Sequence, residues 1–313
     1  MTTETNFGEI ALRELLSERR KDRRAKYIRL FSVLLVLTAG FGFNYSYLNS
    51  NSDSATVSED GSPFVAVVNL EGEIAKGPRT ISDENVKTLL EKAFSSSAEG
   101  VIISMSSPGG SPVQSELIKS RIQRLKKEHG KKVILVGEET LASGGYMVAM
   151  GADEIYVQPS TIVGSIGVRM AGFGAVEFMK KVGVERRLYT AGKNKAPMDT
   201  WSPQNPDSIQ HIDAMLQDIH VRFIAMVEES RSDKVTSKED LYDGRIWTGS
   251  QAVALGLVDG LGTVEEVAQQ HFGTDNLRGF QQPPSILNRL GFAVQAAIQA
   301  GIPTTSYRVE TVW

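Results

Sequence analysis

Apolar residues recur along this chain in two periods. Phe64-Val-Ala-Val-Val-Asn-Leu70, Gly100-Val-Ile-Ile-Ser-Met105, Val133-Ile-Leu-Val136 and Glu154-Ile-Tyr-Val157 are short, mostly apolar runs. Runs of this length and β-branched content predict strands buried on both faces, as in a parallel sheet. Between them the period lengthens. Ser82–Ser95 puts Val86, Leu89, Leu90 and Phe94 on one helical face, Ser115–His129 predicts a helix with a basic outer face, and a further helix runs from Tyr146 to Gly151. This alternation from Pro63 onward predicts an α/β layered fold with right-handed crossovers. Pro206–Ser230 predicts a long helix, and Ser250–Gly256 a short one ahead of a last short strand. Ser285–Ala300 carries Ile286, Leu287, Leu290, Val294 and Ile298 at helical spacing, for packing on the body or for assembly or membrane contact.

Another apolar run is of a different kind. Leu30–Phe43 is uncharged and, as a helix, about 20 Å long. Tyr27, Ile28 and Asn44–Leu48 extend it toward the ~30 Å of a hydrocarbon core, Arg29 can snorkel, and the tyrosines suit the interface. Arg19, Arg20, Lys21, Arg23, Arg24 and Lys26 precede it, so the positive-inside rule puts the N-terminus in the cytoplasm. A cleaved signal peptide would have a shorter basic region and a small-residue cleavage site. The expected organisation is therefore a basic cytoplasmic segment (1–26), a transmembrane signal anchor (27–48) and a polar linker (49–62). A catalytic-size domain (63–275) and a tail with an amphipathic helix (276–313) follow. The domain would then lie outside the cytoplasm.

Composition narrows the chemistry. The chain has 313 residues, no cysteine and a formal net charge of -3. Disulfides, thiolate metal sites and a cysteine nucleophile are excluded, and nothing draws the chain to nucleic acid. No cofactor or metal is expected.

Two Gly-rich turns remain as candidate chemistry. Thr140-Leu-Ala-Ser-Gly-Gly-Tyr-Met-Val-Ala149 joins a strand to a helix with Ser143 at its tip. It reads as an ordinary βα turn or as a nucleophile beside a free backbone N–H. Ser106-Ser-Pro-Gly-Gly-Ser-Pro112 ends the preceding strand, and ligands in α/β sheets collect beyond such strand ends. Together the turns can supply two N–H donors for an oxyanion. A base for Ser143 is harder to find. His129, His211, His220 and His271 lie outside Gly-rich settings and read as solvated helix residues, so no Ser-His-Asp triad is visible. A lysine serves instead when burial makes its amine neutral. Lys193 and Lys195, in Gly192-Lys-Asn-Lys195, are candidates, although a loop of this composition also suits two solvated lysines.

The ordered set Ser-Pro-Gly-Gly, Ala-Ser-Gly-Gly-Tyr, Gly-Ser-Ile-Gly-Val, Gly-x-x-Lys and Trp-Thr-Gly-x-x-Ala-x-x-x-Gly-Leu-Val-Asp, from about Phe64 to Val267, resembles the signal peptide peptidase A family. These are membrane-anchored serine proteases, related to the crotonase and Clp protease folds, that work with a Ser/Lys dyad. The resemblance implies a ClpP/crotonase-like layered β-α superhelix. It implies Ser143 as nucleophile, Lys195 as general base, Gly110 and Gly144 as oxyanion donors, and Ser165 as the serine that orients the lysine. Family members more often carry an aromatic before the lysine; Asn194 stands there, which keeps Lys193 as a second candidate. The resemblance further implies signal-peptide remnants and other extended or unfolded chains as substrates, and a homo-oligomeric ring whose dyad is shared between protomers. A catalytically silent membrane scaffold of the same fold is the alternative, with a crotonase-type acyl-CoA enzyme behind it. The motif from Arg245 to Leu261 reads as structural, with Trp247 in the core and Asp259 a turn residue or a partner of Arg245.

Overall fold

The structure, a computed structural model, describes residues 62–235 and 241–280. The expected anchor, nearly all of the linker and the helix of the tail lie outside the described residues. In chain order the elements begin with β1 (Val65–Glu71), α1 (Asp83–Ser95), β2 (Gly100–Ser107), α2 (Pro112–His129) and β3 (Lys132–Ala142). Next come α3 (Gly144–Ala149), β4 (Glu154–Val157), β5 (Ile162–Gly164), α4 (Val176–Val182) and α5 (Pro206–Arg231). The last are β6 (Ile246–Thr248), α6 (Gly249–Ala254), β7 (Gly260–Leu261), α7 (Val264–Phe272) and β8 (Leu277–Phe280).

The strands form one mixed sheet in the order β6-β5-β3-β2-β1-β8, with β4 on β3 and β7 on β4. Every pairing is parallel except β5 with β6. The period of two along a strand sorts its side chains between two cores. Ala66, Val68, Val101, Ile103, Val133 and Leu135 join the larger core, whereas Val65, Ile102, Ile134 and Val136 meet Val267 and Ala268 of α7 in the smaller one. Burial on both faces explains why these strands read as unbroken apolar runs.

The sequence reading does not foresee β5, α4, β6, α7 or β8, and two elements that it does foresee have different bounds that bear on the site. Helix α2 starts at Pro112, not Ser115, because Ser111 caps it and proline suits a first helical turn. Strand β3 continues through the polar Glu138-Glu139-Thr140 to Ala142. Its lower half, Ile134–Gly137, pairs with β4, and its upper half, Thr140–Ala142, with β5. This fork carries the strand up to Ser143. Among the described residues no helix is long and apolar enough to cross a membrane.

Candidate active site

Ser143 sits where β3 turns into α3, with φ 51° and ψ -121°. A non-glycine residue at positive φ is strained, by about 1–3 kcal/mol. The turn is held from both sides. Ser143 N–H donates to the Gly164 carbonyl (2.8 Å), and the Ser143 carbonyl accepts from Met147 N–H (2.9 Å). This is the build of a strand-to-helix elbow that lifts a hydroxyl clear of the sheet, and the Ser143 side chain stays partly exposed while its neighbours in α3 are buried.

The Ser-Pro-Gly-Gly turn packs directly against this elbow. Ile74 N–H donates to Gly109 O (2.8 Å) and Ser111 N–H to Ile74 O (2.7 Å), a parallel rung centred on Gly110. In such a rung the central residue's own N–H faces the other way. The other way is the elbow: a Cβ placed on Gly144 would lie 3.2 Å from Gly110 N. A Cβ on Gly109 would lie 2.6 Å from Gly144 N and 2.7 Å from Ser143 Cβ. Only glycine lets the two turns approach this closely, and Gly109 and Gly110 have φ 97° and 143°. The N–H groups of Gly110 and Gly144 therefore lie close together beside Ser143.

Ser165 is brought to the same place. Ala142 pairs with Gly164 in the β3–β5 ladder, so Ser143 and Ser165 each follow a paired residue. Ser165 also has positive φ (52°), and its N–H donates to Arg245 O (2.7 Å). Among the described residues neither lysine side chain hydrogen-bonds to Ser143 or Ser165. Lys195 is exposed, and among the described residues its recorded hydrogen bond is from its backbone N–H to Gly192 O (3.2 Å). Lys193 is ion-paired with Asp207 (2.8 Å) on the surface. Among the described residues no group of three His, Asp or Glu is placed to hold a metal ion.

Residues 125–276 match peptidase family S49. A protein of Brucella abortus named Na+/H+ antiporter NhaA is 47% identical over 214 residues, which cover 67% of this chain and 29% of that protein. A candidate signal peptide peptidase SppA of Enterococcus faecium is 33% identical over 187 residues, 58% of this chain and 53% of that one. A candidate protease of Synechocystis sp. is 33% identical over 205 residues, covering 66% of this chain and 72% of that protein. This chain belongs to peptidase family S49. It spans less than a third of the length of the Brucella relative.

Within this S49 chain, several residues of the site were invisible to sequence reasoning. Ser115 is fully buried in the first turn of α2, where its Oγ donates to Ser111 O (3.0 Å) and would lie 2.5 Å from a Cβ on Gly144. Ser107 Oγ accepts from Gly109 N–H (3.2 Å) and fixes the start of the Gly-Gly turn. The histidines are not all solvated. His220 Nε2 meets Ile166 O at 3.1 Å, and His271 packs edge-on against Tyr156, with Nε2 2.9 Å from its hydroxyl. Both partners lie far away in sequence, so no local pattern marks them.

The motif from Arg245 to Leu261 does act as a brace behind α3 in this S49 chain. Tyr146, fully buried, donates its hydroxyl to Leu257 O (2.6 Å). Burial pushes that phenol well above the ordinary range. Asp259 pairs with Arg231 (2.6 Å) and Lys234 (2.6 Å), and it accepts from Ile155 N–H. Arg245 pairs with Asp243. Burial alone would raise the Asp259 carboxyl, but the bonds from Arg231, Lys234 and Ile155 outweigh it and hold the group below its usual range. Trp247 packs half-buried on the core, beside Gly164.

Proposed function

We propose that this chain is a membrane-anchored serine endopeptidase that cleaves extended polypeptides with a Ser143/Lys195 dyad. The observation that carries the reading is the strained Ser143 elbow, set against the inward-facing N–H groups of Gly110 and Gly144. A hydroxyl beside two convergent donors is the arrangement acyl transfer requires. Neutral Lys195 takes the Ser143 proton as the oxygen attacks a peptide carbonyl. The carbonyl oxygen becomes an oxyanion held by Gly110 and Gly144. Lys195 then protonates the leaving amine, and water releases the acyl-enzyme. Ser165, one residue beyond the β3–β5 ladder, orients the lysine amine.

Lys195 is exposed, and among the described residues its side chain makes no hydrogen bond to Ser143. A ring of copies, in which each Lys195 reaches a neighbour's Ser143, accounts for this. Residues 170–201 support the same reading. Met170, Phe173, Phe178, Leu188, Tyr189 and Trp201 are all exposed, Phe173 and Tyr189 at 90%. An apolar surface of that kind marks an interaction site. The fold is of the ClpP/crotonase kind, and the substrates are signal-peptide remnants and other unfolded chains near a membrane. The run 27–48 supplies the anchor and sets the domain outside the cytoplasm.

The test is hydrolysis of an unstructured polypeptide, such as reduced and carboxymethylated lysozyme, by the full chain in detergent. Wild type should cleave, and Ser143→Ala and Lys195→Ala should each abolish cleavage while folding normally. Activity lost in Lys193→Ala but kept in Lys195→Ala would move the base. A folded wild type without cleavage would overturn the peptidase reading.

A further inference from the structure

Helix α5 docks on the body by its C-terminal half, where Ile224 and Met226 pack half-buried on the larger core. Apart from Ser208 near its start, its buried residues are Phe223, Val227 and Arg231, a stripe at every fourth position. Phe223 and Val227 enter the larger core, and Arg231 closes the stripe on Asp259 and Gly256 O. His220 stands one turn before Phe223, at the head of the stripe. N-terminal to it the helix is largely exposed, and its first turn carries Asp207, the partner of Lys193 in the Lys195 loop. From Asp207 to His220 is about 20 Å of helix.

The contact His220 makes is with the turn that carries Ser165. Its Nε2 lies 3.1 Å from the carbonyl oxygen of Ile166, the next residue along. A carbonyl only accepts, so the bond needs the proton on Nε2. Ser165 is held at φ 52°, which a serine leaves readily when released. Three other contacts hold the near side of the turn. Gly164 O accepts from Ser143 N–H, Ser165 N–H donates to Arg245 O, and Gly164 packs against the Trp247 ring. All three act at or before Ser165. Beyond it the Ile166 side chain is buried in the larger core and Gly167 lies against Gly244, and His220 adds the hydrogen bond that fixes the Ile166 carbonyl, from a helix that also reaches the lysine loop.

We propose that His220 is a positioning residue for the peptidase reaction: its bond to Ile166 O fixes the Ser165 turn against the Ser143 strand. The proposal rests on the Ser143/Lys195 reading above. His220 touches neither substrate nor the reacting atoms, so its loss changes turnover and not binding. One bond of this kind corresponds to roughly a tenfold change in rate.

The experiment uses the full chain in detergent with three variants. His220→Leu removes the donor and keeps apolar volume. His220→Asn keeps a donor but places it short of Ile166 O. His220→Gln places an amide N–H near the position of Nε2. Steady-state cleavage of a peptide substrate is read together with amide hydrogen exchange over residues 162–170 and the melting temperature. Leu and Asn should lower kcat roughly tenfold with KM within about twofold, and Gln should restore most of it. Exchange should rise in 162–170 for Leu and Asn only. On a Ser165→Ala background, adding His220→Leu should cost almost nothing more. Wild-type kcat in both His220→Leu and His220→Asn would overturn the proposal, as would equal losses in all three variants or a loss confined to KM. Should His220→Leu fail to fold, the contrast between Asn and Gln decides. A wild type that does not cleave overturns the peptidase reading, and the exchange data then show separately whether His220 anchors the turn.

Discussion

The residues that matter most here are the ones whose backbones are out of place. Ser143 and Ser165 both take positive φ without being glycine, and both stand where β3 and β5 stop pairing. Strain at a nucleophile sets stability against function. Ser143→Gly should therefore abolish cleavage yet raise the melting temperature by about 2–4 °C, since glycine accepts φ 51° at the cost of some unfolded-state entropy. Scanning calorimetry of the two proteins checks it; a lower melting temperature would mean that the elbow is not strained. Gly109→Ala probes the proposed oxyanion site from the opposite side. Its new Cβ would fall 2.6 Å from Gly144 N, so the donor must shift. Turnover should fall by ~10²–10³, the usual cost of one lost oxyanion donor, as read by kcat on a peptide substrate.

At the scale of elements, α5 and the Leu257–Asp259 turn brace the sheet behind the elbow. Arg231 is 2% exposed and forks between Asp259 and Gly256 O. Arg231→Met should cost about 3 kcal/mol, because it leaves a largely buried carboxylate facing only the half-exposed Lys234 and takes both guanidinium bonds from Gly256 O, and urea denaturation measures it. Asp259 and Asp83 also set the acid limb. The two N–H bonds from Arg121 hold the Asp83 carboxyl below the usual range, and the Arg231, Lys234 and Ile155 bonds do the same for Asp259 against its burial. A depressed carboxylate stabilises above its unfolded pKa of ~3.9 and loses that contribution as pH falls through the folded value. The urea midpoint should thus hold from neutral pH to about 5 and fall below about 4. Asp259→Asn should flatten that fall.

The same scale shows what could be read from the chain unaided. Ser82 caps its helix, and the buried strands announce themselves by apolar content, whereas the Ser111 cap went unread. The elbow and the Gly-Gly turn were legible because a tight backbone approach leaves glycine in the sequence. The upper half of β3 was not, since Glu138 and Glu139 break the apolar run exactly where the strand changes partner from β4 to β5. The roles of His220, His271 and Arg231 depend on residues 54, 115 and 28 positions away. No period or motif encodes such pairs.

For the whole molecule, the account turns on where Lys195 acts. One chain presents Ser143, Gly110, Gly144 and Ser165 together, and carries Lys195 outward on an exposed loop beside an apolar surface. A dyad completed between copies explains both features. The direct measurement mixes two inactive proteins. Ser143→Ala and Lys195→Ala chains are dissociated, combined in equal amounts and reassembled, and cleavage of an unstructured polypeptide is followed. Sites that pair an intact serine with a neighbour's intact lysine should restore about a quarter of wild-type activity in a randomly mixed ring, with neither variant active alone. A mixture as inactive as its components, although it co-assembles, would contradict a dyad built across the interface.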